Sequence, residues 1–140
     1  MKKLPKCKEI PEDFWYPQGA REENLDVYRL LIHADAVCSD DFLSKYELDK
    51  RSGKDTSRLK DDDEYYGLST LEDIEDAVKL LKKVMAKKQN LKGISRGTTL
   101  NGQTRKTPRS ILQSHVTWWP YLDTNPLSQF SIIAGGEENE

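Results

Sequence analysis

The sequence predicts an α+β domain in which a small, mostly antiparallel sheet packs against one long helix and one short helix. Three observations predict this class: an amphipathic repeat over residues 70–88, a strand-like apolar run at 26–33, and several β-type segments after Lys92. A chain of 140 residues has the length of one ordinary domain. We therefore expect one globular domain over residues 1–134 and a disordered acidic tail at 135–140.

The first strand is predicted at residues 26–33, because this stretch is short, nearly continuously apolar and rich in β-branched and aromatic residues. Arg29 lies inside it, and an arginine on a covered strand needs an anionic partner. Before the strand, three closely spaced prolines predict an irregular segment over residues 1–24. Its aromatic residues 14–16 are expected to pin this segment to the domain or to form the lip of a ligand site.

A short helix is predicted at about 40–48, with Ser39 as its N-cap and two aspartates in its first turn. Residues 49–64 follow with 11 charged side chains among 16 positions, so we expect an exposed, mobile loop. The acidic run 61–64 lacks the alternating ligand spacing of a calcium-binding loop. The sequence therefore predicts a solvated loop and no metal site.

The long helix is predicted at about 70–88. The stretch Ser69-Thr70-Leu71-Glu72 has the pattern of a capping box, in which the serine hydroxyl accepts a first-turn amide and the glutamate reaches back. Apolar residues then recur at helical spacing, with acidic residues at the first turn and lysines at the last. This pattern indicates a helix that lays one apolar face on the core.

The rest of the chain is predicted to be β-structure. Residues 93–97 begin a strand, and Asn101-Gly102 is a strong signal for a two-residue hairpin turn between 98–100 and 103–105. Residues 114–119 form the next strand, in which alternation places His115, Thr117 and Trp119 on one face. Residues 130–133 form the last one.

The charge distribution contains one long acid-free run. From residue 77 to residue 122 there is no Asp or Glu and there are ten basic residues, although the whole chain has a net charge of -2. The helix accounts for five of the ten, since lysines suit its C-terminal end. The remaining ones lie on predicted strands and loops beside a histidine and a tryptophan pair. They predict an anion-binding site for a nucleotide or RNA, formed by Arg96, Arg105, Arg109, His115 and Trp119.

Other interpretations of the same residues remain open. A sequence pI of about 5.8 suits a solvated basic face better than a dedicated nucleic-acid binder. Such a face would make the protein an interaction module without catalytic activity, docking a protein partner or its own copy. His115 has an ordinary pKa near neutrality, so it is a candidate general acid or base as well as a candidate structural residue.

Two short motifs resemble a known enzyme family. Tyr28-Arg29 on an early strand, followed by Gly67-Leu68-Ser69-Thr70, resembles the first two motifs of the Arg–Ser–Glu class of ADP-ribosyltransferases. The resemblance implies NAD as substrate, with Arg29 at its phosphates and Ser69 at the nicotinamide pocket, and His115 would join them as a third catalytic candidate. The third family motif, a glutamate on a late strand, has no counterpart between residues 77 and 122.

Several classes of protein are not indicated. Cys7 and Cys38 are the only cysteines and lack the spacing of a zinc site, and no G-x-S-x-G or phosphate-loop pattern occurs. The N-terminus lacks the apolar run of a signal peptide, and no stretch is long and apolar enough for a membrane span. The sequence therefore predicts a cytoplasmic protein without a membrane partner and without a cofactor, apart from NAD if the family resemblance holds.

Overall fold

The protein has an α+β fold with a six-stranded antiparallel sheet and two α-helices, as the sequence predicts. A computed structural model describes residues 16–87 and 90–135. Predictions for residues 1–15, for Lys88 and for the tail at 136–140 lie outside the described residues. The elements are β1 Asp26–Leu31, α1 Lys45–Arg51, β2 Leu68–Leu71, α2 Ile74–Ala86, β3 Gly93–Thr98, β4 Gly102–Lys106, β5 His115–Pro120 and β6 Phe130–Gly135.

The sheet consists of two three-stranded halves that share one short contact. Its strand order is β4-β5-β2-β1-β3-β6. In the centre, β1 and β2 are in register at a single pair, Tyr28 opposite Leu71, whereas β1 pairs with β3 along its whole length. The halves β4-β5-β2 and β1-β3-β6 therefore diverge on one side of that pair.

The predicted hairpin at Asn101-Gly102 is wrong. β3 pairs with β1 and β6, and β4 pairs with β5, so β3 and β4 are not neighbours. Asn101 does have the positive φ of a turn residue, at 68°. Gly102 instead begins β4, where an added Cβ would lie 2.5 Å from the indole nitrogen of Trp118. This glycine permits a close strand approach and does not supply a turn.

A short connection also shows that the sheet is curled. Only three residues separate Thr98 at the end of β3 from Gly102 at the start of β4. Three other strands lie between β3 and β4 in the sheet order. A flat sheet would set them about 19 Å apart, beyond the reach of such a connection, so the two halves bend toward each other.

The long helix starts later than predicted. α2 begins at Ile74, with Asp73 as the N-cap that accepts a hydrogen bond from the Glu75 amide. Ser69 lies on β2, directly opposite Thr117 of β5. Residues 68–71 form a strand because Leu68, Thr70 and Leu71 are buried there and β5 supplies their backbone partners.

The short helix also differs from its predicted bounds of 40–48. Ser39–Phe42 forms a 3-10 turn, and α1 follows at Lys45–Arg51. Its N-cap is Ser44, whose hydroxyl accepts from the Glu47 amide at 3.1 Å while the Glu47 carboxylate accepts from the Ser44 amide at 2.9 Å. The helix thus extends into the predicted loop at 49–64, which is otherwise mostly exposed.

Both faces of the sheet are covered. On one face, α2 packs Ala77, Leu81 and Val84 against strand residues of β1, β2 and β3. Trp118 and Trp119 are both fully buried and belong to different clusters, as alternation along β5 requires. Neither helix in the described part of the chain is long and apolar enough to cross a membrane.

We expect Gly97→Ala to destabilise the protein by about 3 kcal/mol, because overpacking at this site cannot relax easily. An added Cβ at Gly97 would meet the Gln129 carbonyl and the Phe130 ring. The matched variant Gly53→Ala has open space but a φ of 77°, so only backbone strain applies and a loss of about 1 kcal/mol is expected. Urea denaturation at constant m-value measures both, and equal losses would contradict the packing argument.

Candidate functional site

A cavity opens where β1 and β2 diverge. If their pairing continued beyond Tyr28 and Leu71, Leu30 would lie opposite Ser69. Instead the cavity, of about 620 Å³, occupies this side of the sheet. Its walls come from β1, the 3-10 turn with α1, β2, α2 and the loop at 109–112 that precedes β5.

Arg29 lies at the boundary between the two halves of the sheet. Its Nε donates to the Asp41 carbonyl at 2.7 Å and its Nη1 donates to the Ser69 carbonyl at 2.7 Å, with a longer contact from Nη2 to the Leu43 carbonyl at 3.5 Å. No carboxylate of the described residues is within ion-pair distance of it. The anionic partner expected for this arginine is therefore replaced by backbone carbonyl dipoles.

The environment of Arg29 affects its proton affinity. Burial lowers the pKa of Arg29 to about 10, and the negative charge of Asp41 acts in the opposite direction. The guanidinium thus remains charged at neutral pH and also lies over the Phe42 ring, 5.8 Å from its centroid. A cation held by carbonyls, without an internal counter-charge, adds a positive charge to the cavity wall.

Asp41 holds the 3-10 turn in the conformation that Arg29 requires. Its carboxylate accepts from the amides of Ile32 and Cys38, each at 2.7 Å, and its side chain is buried. These bonds tie the turn to the end of β1, so that the carbonyls of Asp41 and Leu43 face the guanidinium. The side chain of Asp41 is thereby engaged with backbone and not with the cavity.

A histidine and a serine of the cavity lining are in contact. The Oγ of Ser69 lies 2.9 Å from Nε2 of His115, and Thr107 Oγ1 lies 2.8 Å from its Nδ1. Thr107 continues the chain to the hydroxyl of Thr117 at 2.9 Å. His115 and Thr107 are buried, whereas Ser69 is exposed. His115 therefore contacts buried Thr107 through one ring nitrogen and exposed Ser69 through the other.

The imidazole is neutral at physiological pH. Burial lowers the pKa of His115, and the nearby guanidinium of Arg109 lowers it further. Glu64 and a hydrogen bond with the Thr107 backbone raise it to a smaller extent. A neutral imidazole has one nitrogen able to accept a proton, which is the state a general base needs.

The loop before β5 fixes the position of His115 from the side of α2. The Asp76 carboxylate accepts from the amide and the hydroxyl of Ser114, at 3.1 and 2.7 Å, and Ser114 in turn accepts from the Asp73 amide. The Ser114 partner lowers the pKa of Asp76, so this anchor is charged over most of the pH range. The start of α2 is thus clamped to the residue next to His115.

The charged groups of the cavity differ in how far they are engaged. Arg29, Lys83 and Arg109 are its basic residues, and Asp40 and Asp41 are its acidic ones. Asp40 pairs with Arg51 at 3.3 Å, and Arg109 pairs with Glu64. Lys83 makes no ion pair or side-chain hydrogen bond with any described residue. The cavity therefore has a positive excess, and its acids are turned to other partners.

The structure brings together only part of the predicted anion site. Arg109 and His115 line the cavity, whereas Arg105 contacts Glu64 at 3.6 Å and Arg96 is exposed on β3, away from the lining. Trp119 is fully buried, and its indole nitrogen donates to the Asp63 carbonyl at 3.1 Å. The expected stacking of a base on Trp119 is therefore not available in this conformation.

The two residues of the family resemblance, Arg29 and Ser69, do meet the third catalytic candidate, His115. Arg29, Ser69 and His115 line one cavity, and two of the contacts described above join them in the order Arg29, Ser69, His115. Sequence reasoning missed Lys83, Thr107 and the role of Asp41. Lys83 is indistinguishable by pattern from its neighbour Lys82, and Thr107 carries no motif at all.

Comparisons with known proteins do not assign this chain to a family. No family model, curated protein or solved structure matches the chain. Within residues 16–87 and 90–135, no three His, Cys, Asp or Glu side chains form a group that could hold a metal ion.

We expect Arg29→Met to lower the free energy of unfolding by about 2–4 kcal/mol, because it leaves the carbonyls of Asp41 and Ser69 without donors. Replacing the exposed Arg58 by Met is the control and should change stability by less than about 0.5 kcal/mol. Thermal and urea denaturation measure both variants. Equal stabilities would show that Arg29 does not hold the two halves together.

Proposed function

We propose that the cavity binds a small phosphate-bearing ligand of nucleotide size. The observation that carries this proposal is the convergence of three basic side chains, Arg29, Lys83 and Arg109, on one cavity whose two acids are engaged elsewhere. Phosphate groups bind such arrangements through charge-assisted hydrogen bonds. Lys83 is the cation most available to a ligand.

The size and the wall chemistry of the cavity support a nucleotide. A volume of about 620 Å³ lies within the usual range of small-molecule sites, roughly 300–1,000 Å³. Much of the remaining lining is apolar, including Leu43, Leu71, Leu80 and Leu112. Such a surface suits the flat face of a base or a nicotinamide ring, while the cations hold the phosphates. A cavity of this limited volume favours a single nucleotide over a nucleic-acid strand.

Ligand binding is tested by calorimetric titration of the full chain with AMP, ADP and inorganic phosphate at low salt. We expect Lys83→Gln to weaken nucleotide binding about 10-fold or more, because it removes one charge-assisted contact. The matched control Lys82→Gln changes the same charge one position away, outside the cavity lining, and should leave affinity unaltered.

Three results would contradict nucleotide binding in the cavity. Equal weakening by Lys83→Gln and Lys82→Gln would indicate non-specific attraction to a basic surface, which salt screens. Weakening by Arg96→Gln but not by Lys83→Gln would assign binding to the exposed β3 surface. No heat and no stabilisation by any of the three ligands at low salt would remove the proposal altogether.

A second candidate function is the consumption of NAD. It is favoured by the meeting of Arg29 and Ser69, which the resemblance to ADP-ribosyltransferases selects, with His115, the separate candidate for acid–base chemistry. Arg29 uses three of its five N–H groups on backbone carbonyls and retains two for a phosphate. The described cavity lining contains no glutamate, so the family's third motif is missing from the site as well as from the acid-free run.

We expect nicotinamide release from NAD if this second candidate holds, and an approximately 100-fold slower release by Ser69→Ala, because an oriented side chain at the reacting group is removed. Ser57→Ala, at an exposed serine that does not line the cavity, is the control. Chromatography of the products measures the rate. Wild-type release no faster than in buffer rejects NAD consumption while leaving nucleotide binding intact.

A further inference from the structure

The contact between Ser69 and His115 is not required for anion binding. An anion site needs donors and positive charge, whereas this contact joins a hydroxyl to a neutral imidazole. From the geometry of this contact we propose that Ser69 is a nucleophile activated by His115, and that the cavity accepts the acyl group of an activated ester with a small apolar acyl chain. This activity does not rest on the proposed nucleotide binding.

In the proposed pair, the imidazole proton of His115 lies on Nδ1, so that Nε2 can act as the base. Nδ1 faces Thr107, whose hydroxyl lies 2.8 Å away. In this tautomer the imidazole donates to the Thr107 hydroxyl. A proton on Nδ1 leaves Nε2 as the acceptor of the Ser69 hydroxyl proton at 2.9 Å. Thr107 is thus the positioning residue for this pair.

The two members of the pair differ in accessibility in the way that catalysis needs. Ser69 is exposed in the cavity, so a carbonyl carbon can reach its Oγ. His115 is only 6% exposed, so water does not compete strongly for its Nε2. Nucleophile and base lie within the hydrogen-bond reach that activated serines show. The pair sits on adjacent strands, β2 and β5, where Ser69 lies opposite Thr117 and Leu71 lies opposite His115, and backbone pairing fixes its spacing.

Two guanidinium groups add positive charge to the cavity that contains Ser69 and His115. Arg29 donates to the backbone carbonyl of Ser69, and Arg109 is close enough to His115 to affect its pKa. Both guanidinium groups line the same cavity. Preorganised cationic donors of this kind stabilise the oxyanion of a tetrahedral intermediate. The apolar lining around Leu43 and Leu112 suits an acyl chain.

The reaction balances with water as the only co-reactant. Ser69 Oγ attacks the ester carbonyl and its proton moves to His115 Nε2, giving a tetrahedral oxyanion. The intermediate collapses, the bond to the leaving alkoxide breaks, and that oxygen takes the proton from Nε2. Water then attacks the acyl-serine and gives one proton to Nε2. The second tetrahedral intermediate collapses, Ser69 Oγ leaves and takes that proton back from Nε2, and the carboxylic acid is released.

The proposal is tested with two neutral reagents on the full chain. An alkyl fluorophosphonate should form one covalent adduct, which peptide mass spectrometry should locate on Ser69. p-Nitrophenyl acetate should release p-nitrophenolate faster than in buffer. His115→Asn should slow both reactions about 100-fold, because it removes the base. Ser57→Ala is the control: its hydroxyl bonds Asp55 and not a histidine, and the adduct should form unchanged.

The pH dependence of adduct formation is measured on the unsubstituted chain, so it does not require that any variant folds. Because burial and Arg109 lower the pKa of His115 below its usual 6.5, with Glu64 opposing them, adduct formation should fall as His115 is protonated and reach half of its maximal rate at a pH below 6.5. No adduct on Ser69, adducts spread over several serines, or a rate unaffected by His115→Asn in a folded variant overturns the proposal. Ser69→Ala should abolish the adduct, whereas phosphate binding is measured by calorimetry on the unsubstituted chain, so the two proposals fail separately.

Discussion

The guanidinium of Arg29 is the contact on which the rest of this structure depends. It donates to carbonyls of the 3-10 turn and of β2 at the point where two halves of one sheet separate. A strand pair at this position would have closed the sheet and left no cavity. The arginine satisfies the carbonyls that the missing pair leaves open, and it does so with a charge that faces the space between the halves. The same residue therefore holds the fold together and gives the site its polarity.

The fold class could be predicted because the spacing of apolar residues along the chain differs between helices and strands. The apolar stripe of α2 and the β-branched run of β1 are local patterns, and each produced its element within a few residues. The boundaries failed where two local signals competed: Ser69 has a capping-box sequence, but burial of Leu68 and Leu71 against β5 makes it a strand residue. The hairpin prediction at Asn101-Gly102 was wrong because strand pairing depends on packing of the whole sheet and not on the turn sequence alone.

The site was harder to predict than the fold, for a physical reason. Charge counting selected Arg96 and Trp119, but exposure and burial are properties of the assembled sheet. Trp119 fills a pocket formed by three tyrosines of α1 and the segment before β2, which no pattern near residue 119 announces. Conversely, Arg29, Ser69 and His115 were selected from separate parts of the chain, and only the strand order places them together. The sequence therefore indicated the individual residues, but their convergence in one cavity follows from the strand order.

The strand order also has a consequence for how the chain acquires this structure. Tyr28 of β1 pairs with Arg96, which follows 68 residues later, and Leu71 of β2 pairs with His115, 44 residues later. During synthesis, β1 leaves the ribosome long before its partner strand exists. Its apolar residues therefore lack their partner strand until most of the sequence has been synthesised. Such non-local pairing makes folding slow, and it places assembly of the cavity among the last events.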